Sequence, residues 1–302
     1  MTAPNAPHIS ICIPTYQRPG MLERCLDALT TQEARGFAYS ILVVDNDPQQ
    51  SASGVVHKRI GSSSTTVTYV REEEPNISRA RNKAVSSAVG EYLAFIDDDE
   101  IPEPSWLCNL YETCRKYSAD GVLGPVLPHY EGTPPDWLVK SGLCVRASFT
   151  TGTRLTNPRY LRTGNILLRR ALFEGLVTPF DPGLGRTGGE DVDALGRMVK
   201  AGRSFVWCNE ARVYETVPAE RQMLNYHLRR ALIRGVTQAD MEAFLSYGTM
   251  KSVIAVILYP LALPFLLATR YHVYVKYLVK CCDHLAKLLA HFGVKLARER
   301  TF

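Results

Sequence analysis

Tyr92-Leu93-Ala94-Phe95-Ile96-Asp97-Asp98-Asp99-Glu100 is the stretch on which the reading of this chain turns. A short continuous apolar run that empties into charge reads as a buried strand ending where the acids begin. Four adjacent carboxylates repel one another, and a divalent cation removes that penalty. Hard oxygen ligands select Mg²⁺ or Mn²⁺. Such a cation would bridge the diphosphate of a nucleotide and take up charge on the leaving group. For these residues taken alone, an acidic turn capping the next helix remains the plain alternative.

Outward from this stretch, short apolar runs alternate with helix-like segments. His8–Pro14, Ser40–Val44, Val67–Val70 and Tyr92–Ile96 read as strands. Met21–Leu29, Ile77–Val89 and Pro104–Tyr117 read as helices, the second opened by Asn76 or Ser78 as a cap. Gly121–Leu127 returns as a strand, Pro128–Pro158 is an irregular excursion rich in Pro, Gly and Trp, and Ser62–Thr66 is a polar loop. Regular structure resumes at Asn165–Arg169, followed by a helix over Glu190–Ala201 and strands over Ser204–Cys208 and Arg212–Glu215. This order predicts an α/β domain, a mainly parallel sheet with helices on both faces, over residues 1–216. Ligands of such sheets bind beyond the carboxyl ends of the strands. Thr15, Asp45 and Asp97–Asp99 each follow a strand, so they are expected on one rim.

From about Val217 the character changes to helices, and residues 217–302 are expected to form a membrane-associated C-terminal region. This part holds 12 Lys/Arg against 5 Asp/Glu, which leaves 23 against 25 in the rest, so the net charge of +5 resides here. A basic, apolar region without a nucleic-acid module suits an anionic membrane surface and excludes nucleic acid as the partner. Val253–Thr269 is an uncharged apolar run at the short limit for a bilayer span. Pro260 and Pro264 interrupt it, so a kinked or re-entrant insertion competes with a straight span. Arg270–Lys295 mixes Lys, His and Tyr with Leu and Val, as an interfacial helix does. The eight cysteines form no CxxC pair and no zinc spacing; with no N-terminal signal peptide read, they point to buried thiols in a reducing cytosol.

A second carboxylate group, Gly188-Gly189-Glu190-Asp191-Val192-Asp193, places acids in the first turn of a helix, where the helix dipole alone would favour them. A reaction at a sugar C1 also needs a carboxylate, apart from those holding a metal, to take the acceptor proton. Arg79 or Arg81 could reach phosphates from the helix before the acidic strand. Thr163-Gly164-Asn165 could present an amide to a sugar hydroxyl, or could be a simple turn. No Gly-x-Gly-x-x-Gly follows the first strand, which excludes a dinucleotide-dependent dehydrogenase. A non-catalytic scaffold would not need carboxylates at both places.

The ordered motifs Ile13-Pro14-Thr15-Tyr16-Gln17-Arg18-Pro19, Val43-Val44-Asp45-Asn46-Asp47, Ser78-Arg79-Ala80-Arg81-Asn82, Phe95-Ile96-Asp97-Asp98-Asp99 and Gly189-Glu190-Asp191 resemble glycosyltransferase family 2 and its GT-A fold. Within it, Asp98-Asp99-Glu100, Val122–Val126, Arg162–Asn165 and Gly188–Asp191 look like the bacterial succinoglycan-type β-glucosyltransferases. The resemblance implies an inverting transferase using Mn²⁺ or Mg²⁺, a UDP-sugar donor and a lipid-linked saccharide acceptor at the cytoplasmic face of the inner membrane, bound peripherally or monotopically. It implies that Pro14, Thr15 and Asp45 hold the nucleoside, that Arg81 lies near the nucleotide, and that Asp97 and Asp98 sit against ribose and metal. Asp99 would be the metal ligand, Asp191 the general base and Glu190 a partner for sugar hydroxyls, with Trp137 and Asn165 contacting acceptor or donor sugar. Family members often carry a His just before the Val-Pro step; here Tyr214 and Glu215 stand there, leaving Tyr214, Glu215 or water to complete the metal shell. A polyprenyl-phosphate glycosyltransferase of the same fold is the alternative.

Overall fold

The computed structural model describes residues 6–61, 65–185, 188–294 and 296. Ser62–Ser64 of the expected polar loop and Lys295 of the expected interfacial stretch lie outside these residues. The chain divides into two compact units, residues 1–127 with 146–215, and residues 128–145 with 216–302. Pro128–Val145, expected as an excursion of the first domain, thus belongs to the second unit.

The first unit is built on a seven-stranded sheet in the order β3-β2-β1-β4-β8-β6-β9. Its strands are β1 (His8–Thr15), β2 (Ala38–Asp45), β3 (Thr66–Arg71), β4 (Tyr92–Ile96), β6 (Gly121–Leu123), β8 (Asn165–Arg169) and β9 (Phe205–Trp207). β1 pairs in parallel with β2 and β4, β2 with β3, and β6 with β9, whereas β8 runs antiparallel to β4 and β6. Central strands such as Tyr92–Ile96 are buried throughout, which is why they read as unbroken apolar runs. Helices α1 (Pro19–Leu29), α2 (Ser53–His57) and α4 (Trp106–Lys116) give Leu22, Leu26, Val56 and Leu110 to the core on one face. On the other face α3 (Ile77–Ser87) and α6 (Glu190–Lys200) give Ala80, Ala84, Leu195 and Met198.

Three local departures from the sequence reading occur in the first 145 residues. The single strand expected over Gly121–Leu127 is broken into β6 and β7 (Val126–Tyr130). Pro125 lacks a ladder donor, and a Cβ on Gly124 would stand 2.1 Å from the Ala211 carbonyl oxygen. Glu100–Pro102 forms a short strand, β5, antiparallel to β10 (Val213–Val217), instead of leading straight into a helix. The expected irregular excursion contains helix α5 (Asp136–Ser141).

The second unit adds α7 (Leu224–Met241), α8 (Tyr247–Thr269) and α9 (Tyr271–His291). Ala231, Val275 and Val279 form its apolar centre, with Trp137 and Leu228 packed on it. α8 runs through Pro260 and Pro264 as one helix of 23 residues, so the expected interruption does not occur. It is long and apolar enough to cross a membrane, with a mean hydropathy of 2.1 and only 11% of its most apolar window buried.

Candidate active site

Parallel pairing brings the carboxyl ends of β1, β2 and β4 to one rim, with Thr15 opposite Asp45 in the register. Because β8 is antiparallel, its first residue, Asn165, lies beside Ile96 at that rim. β4 ends at Ile96 and the chain turns at once: the Asp97 amide donates to Glu100 Oε2 at 3.1 Å, and the Glu100 amide to the Asp97 carbonyl at 3.2 Å. Gly164 is pressed against this turn; a Cβ there would lie 2.8 Å from Glu100 Oε1 and 3.0 Å from Asp97 Oδ2.

Asp98 and Asp99 are buried and share one cation. Thr15 Oγ1 donates to Asp98 Oδ2 at 2.8 Å, while Arg18 Nη1 reaches Asp98 Oδ1 at 3.2 Å and Asp99 Oδ2 at 3.1 Å. Arg18 is presented from the β1–α1 turn, where Gln17 takes a left-handed φ of 52°, a conformation that strains a residue with a side chain. Burial pushes the Asp98 carboxyl up to about 7, against the downward pull of Arg18. Burial likewise raises Asp97, opposed by Arg81, and holds Glu100 well above the carboxylate range, with Asp97 adding to the effect.

Arg81 joins the two carboxylate groups. It forms a salt bridge with Glu190 at the start of α6 and a longer one, 3.7 Å, with Asp97 Oδ1. Both Arg81 and Glu190 side chains are 7% exposed. Among the described residues Arg81 Nε and Glu190 Oε2 nevertheless have no hydrogen-bond partner, nor do the buried Glu100 Oε1 and Thr163 Oγ1. Arg79, the other candidate, instead pairs at the surface with Glu74 at 2.9 Å. Asp191 accepts from the Val192 amide at 2.8 Å and lies 3.9 Å from Arg162 Nε. Gly189 precedes them at φ 98°, which permits the sharp entry into α6.

Four of the candidate residues have partners within the protein. Asn165 is fully engaged: its amide donates to the Pro125 and Ala211 carbonyls at 3.0 and 2.8 Å, and its oxygen accepts from Trp106 Nε1 at 2.8 Å. Both amide hydrogens of Asn165 are thus committed to the protein, and the side chain braces the rim. Asp45 is wholly buried and accepts from the Asp47 and Ala52 amides, each at 3.0 Å, and from the Tyr69 hydroxyl at 2.9 Å. Trp137 belongs to the second unit, where its ring lies edge-on to His227 with centroids 6.0 Å apart. Tyr214 turns its hydroxyl to Glu103 at 2.9 Å.

Glu215, opposite Glu100 in the β10–β5 register, pairs instead with Arg146. Arg146 was not visible in the sequence, because nothing in the excursion around it marks a site residue. Its guanidinium is held charged by Glu215, Glu100 and Asp97, which outweigh burial. Among the described residues no three His, Cys, Asp or Glu side chains converge as a ready metal cluster. The chemistry of the donors still fits a hard divalent cation. Asp97, Asp98, Asp99, Glu100 and Glu215 are oxygen donors in surplus over Arg18, Arg81 and Arg146, and Arg18 stands where positive charge is needed.

Residues 10–177, more than half of the chain, match the sequence model of glycosyl transferase family 2. The chain belongs to glycosyltransferase family 2. It is 36% identical over 250 residues to the succinoglycan biosynthesis protein ExoM of Rhizobium meliloti, covering 81% of this chain and 78% of that protein. The mannosyltransferase PcManGT of Pyrobaculum calidifontis, solved with GDP-Man and Mn²⁺, shares the fold with a TM-score of 0.63 at 17% identity, over 95% of this chain and 89% of that one. Residues 1–349 of S. aureus TarS, solved with UDP, give a TM-score of 0.56 at 15% identity, over 95% and 90%. This family-2 chain is therefore a glycosyltransferase of GT-A fold, and the acidic rim is its candidate active site.

Proposed function

We propose that this glycosyltransferase moves a hexose, glucose by resemblance, from a UDP-sugar to a hydroxyl of a lipid-linked saccharide in exopolysaccharide assembly. It would do so with inversion, at the cytoplasmic face of a bacterial inner membrane, with residues 1–216 as the transferase domain and residues 217–302 as the membrane-associated region. The observation that carries this reading is the Glu190–Arg81–Asp97 chain of contacts, which makes one site of two separate carboxylate groups.

Within that site Asp191 takes the proton of the acceptor hydroxyl as the hydroxyl oxygen attacks C1 from the face opposite the nucleotide. Glu190, fixed by Arg81, has its free Oε2 to accept from a donor-sugar hydroxyl. Pro14 and Thr15 shape the end of β1 against the nucleoside, and Asp45 holds the turn through Ala52 from behind. Asp97 and Asp98 face ribose and diphosphate. Asp99, with Glu215 turned toward the same acids, would hold Mn²⁺ or Mg²⁺, which when bound neutralises charge on the departing diphosphate. Tyr214, tied to Glu103, is left out of that shell.

The structural relatives were solved with both UDP and GDP-Man, so the test is a donor panel of UDP-glucose, UDP-galactose, UDP-N-acetylglucosamine and GDP-mannose, read by nucleotide release with Mn²⁺ or Mg²⁺. A UDP-sugar is the expected substrate. Asp191→Asn should abolish transfer while UDP binding stays near normal. Turnover surviving that change would overturn the base assignment and favour a polyprenyl-phosphate acceptor, whose phosphate is already a nucleophile.

A further inference from the structure

Helix α8 is the outer layer of the second unit. It lies along α9, and α9 in turn packs on α7. The contact runs antiparallel over at least three turns: Gly248 sits against Lys287, Ser252 Oγ bonds His284 Nδ1 at 2.9 Å, and Tyr259 meets Tyr277 edge-on with centroids 5.0 Å apart. The far side of α8 is apolar and uncovered, with Ile257 61%, Leu261 76% and Phe265 70% exposed. Such a surface calls for an apolar phase.

A straight crossing would drag α9 into the bilayer with it. α9 carries Lys276, Lys280, Asp283 and Lys287, and two of these are tied to α7 or its exit: Asp283 to Arg234 at 3.2 Å and Lys287 to Glu242 at 2.7 Å. Charges so held are expensive at the bilayer centre. The prolines argue the same way. Pro260 and Pro264 have no N–H, so the carbonyls of Val256 and Pro260 lose their usual helical donors. At the headgroup boundary water can reach them, whereas in the hydrocarbon centre they would need partners from a neighbouring helix or an ordered water.

Beside this apolar face stands a group of cations. Lys280 is subject to the positive fields of both Lys276 and Lys251, and His284 to those of Lys251 and Lys280. None of the three lysines has a carboxylate partner among the described residues, whereas Arg234 and Lys287 nearby do. Lys280 Nζ lies 5.2 Å from the Tyr277 ring centroid, which steadies it near the apolar layer.

We propose that the α8–α9 hairpin lies in the plane of an anionic bilayer leaflet, α8 sunk to the headgroup–acyl boundary, with Lys251, Lys276 and Lys280 binding phospholipid phosphates. This rests on the membrane association proposed above and adds its geometry and lipid class. The full chain is tested by flotation with sealed vesicles of phosphatidylcholine, with and without phosphatidylglycerol. Binding is expected on the anionic vesicles. Changing all three lysines to Gln should weaken it roughly 100-fold, since each lysine at such a surface is worth about 1 kcal/mol. Arg at the three positions should restore binding, and UDP release in detergent should stay unchanged throughout. Equal binding to both vesicle types, indifferent to the lysines, would overturn the lipid site while leaving membrane association intact; no binding to either would overturn both. Orientation is read from Thr269→Cys in a background with Cys144, Cys281 and Cys282 changed to Ser. Labelling by an impermeant maleimide added outside supports the in-plane hairpin, and protection until the vesicles are lysed refutes it.

Discussion

Replacing Glu190 with Gln removes the near partner of Arg81 and leaves a guanidinium that is 7% exposed, with Asp97 at 3.7 Å and the field of Asp191 as its remaining compensation. Breaking a buried ion pair by deleting one member costs roughly 3–5 kcal/mol. Asp97 still supplies part of the compensation, and the Gln oxygen can accept a weaker bond, so about 3 kcal/mol is the expected loss. For a unit of this size each kcal/mol shifts Tm by roughly 2–4 °C, which gives a fall of about 6–12 °C in a thermal melt. The double change Arg81→Met with Glu190→Leu should recover most of that stability, because an apolar pair of similar volume replaces two desolvated charges. It should not recover transfer, since the free Oε2 of Glu190 and the link to Asp97 are gone. A melt of Glu190→Gln within about 2 °C of the parent, a bound of about 1 kcal/mol on this scale, would refute the reasoning. So would a double variant no more stable than the single one.

Asn165→Ala should destabilise the first unit by about 2–5 kcal/mol, because Trp106 Nε1 and the Ala211 carbonyl lose their partner and the Pro125 carbonyl keeps only the Val213 amide; denaturant unfolding measures it. Gly164→Ala should cost about 1–3 kcal/mol of stability by overpacking and reduce kcat/KM by roughly 100-fold, as its Cβ displaces the Glu100 and Asp97 carboxylates from their positions. In the second unit burial raises the Glu242 carboxyl, but Lys287 and Ser246 more than offset this and hold it below its ordinary value. A carboxyl depressed in the folded state adds stability above its unfolded pKa and loses it as pH falls through the folded value. The parent should therefore lose more stability than Lys287→Met between neutrality and pH about 3, followed by circular dichroism of the helical signal.

Most of the sheet was legible because its strands are buried on both faces and therefore appear as unbroken apolar runs; Tyr92–Ile96 matches to the residue. The helices were legible through periodicity and, for α3, through Asn76, whose side chain accepts from the Ser78 and Arg79 amides. The lapses fall where a long-range contact overrides local pattern. Gly124-Pro125 breaks a run of apolar residues because the Ala211 carbonyl presses on it from 87 positions away in the chain (211 less 124). The bracing contacts of Asn165 were not legible, since only the fold could bring Trp106, Pro125 and Ala211 around one amide.

The acids of the site were readable for a physical reason that also hid one of their partners. Carboxylates announce themselves by standing together in the sequence, as in Asp97–Glu100 and Glu190–Asp193, because one turn must deliver them to one place. Their cations come singly from Arg18, Arg81 and Arg146, three segments that are distant in sequence; Arg18 and Arg81 sit within motifs, whereas Arg146 carries no local signature. Glu215 is the residue most affected by this asymmetry. In the register it faces Glu100, and its charge is one of the influences that, with burial first, raise the Glu100 carboxyl. Arg146 relieves it from a segment that sequence alone marked as irregular. The β5–β10 pair, unremarkable as strands, is therefore best understood as a frame that tolerates repulsion because it holds Glu215 against the acidic turn, where a cation at Asp99 would replace the field that Arg18 and Arg146 now provide.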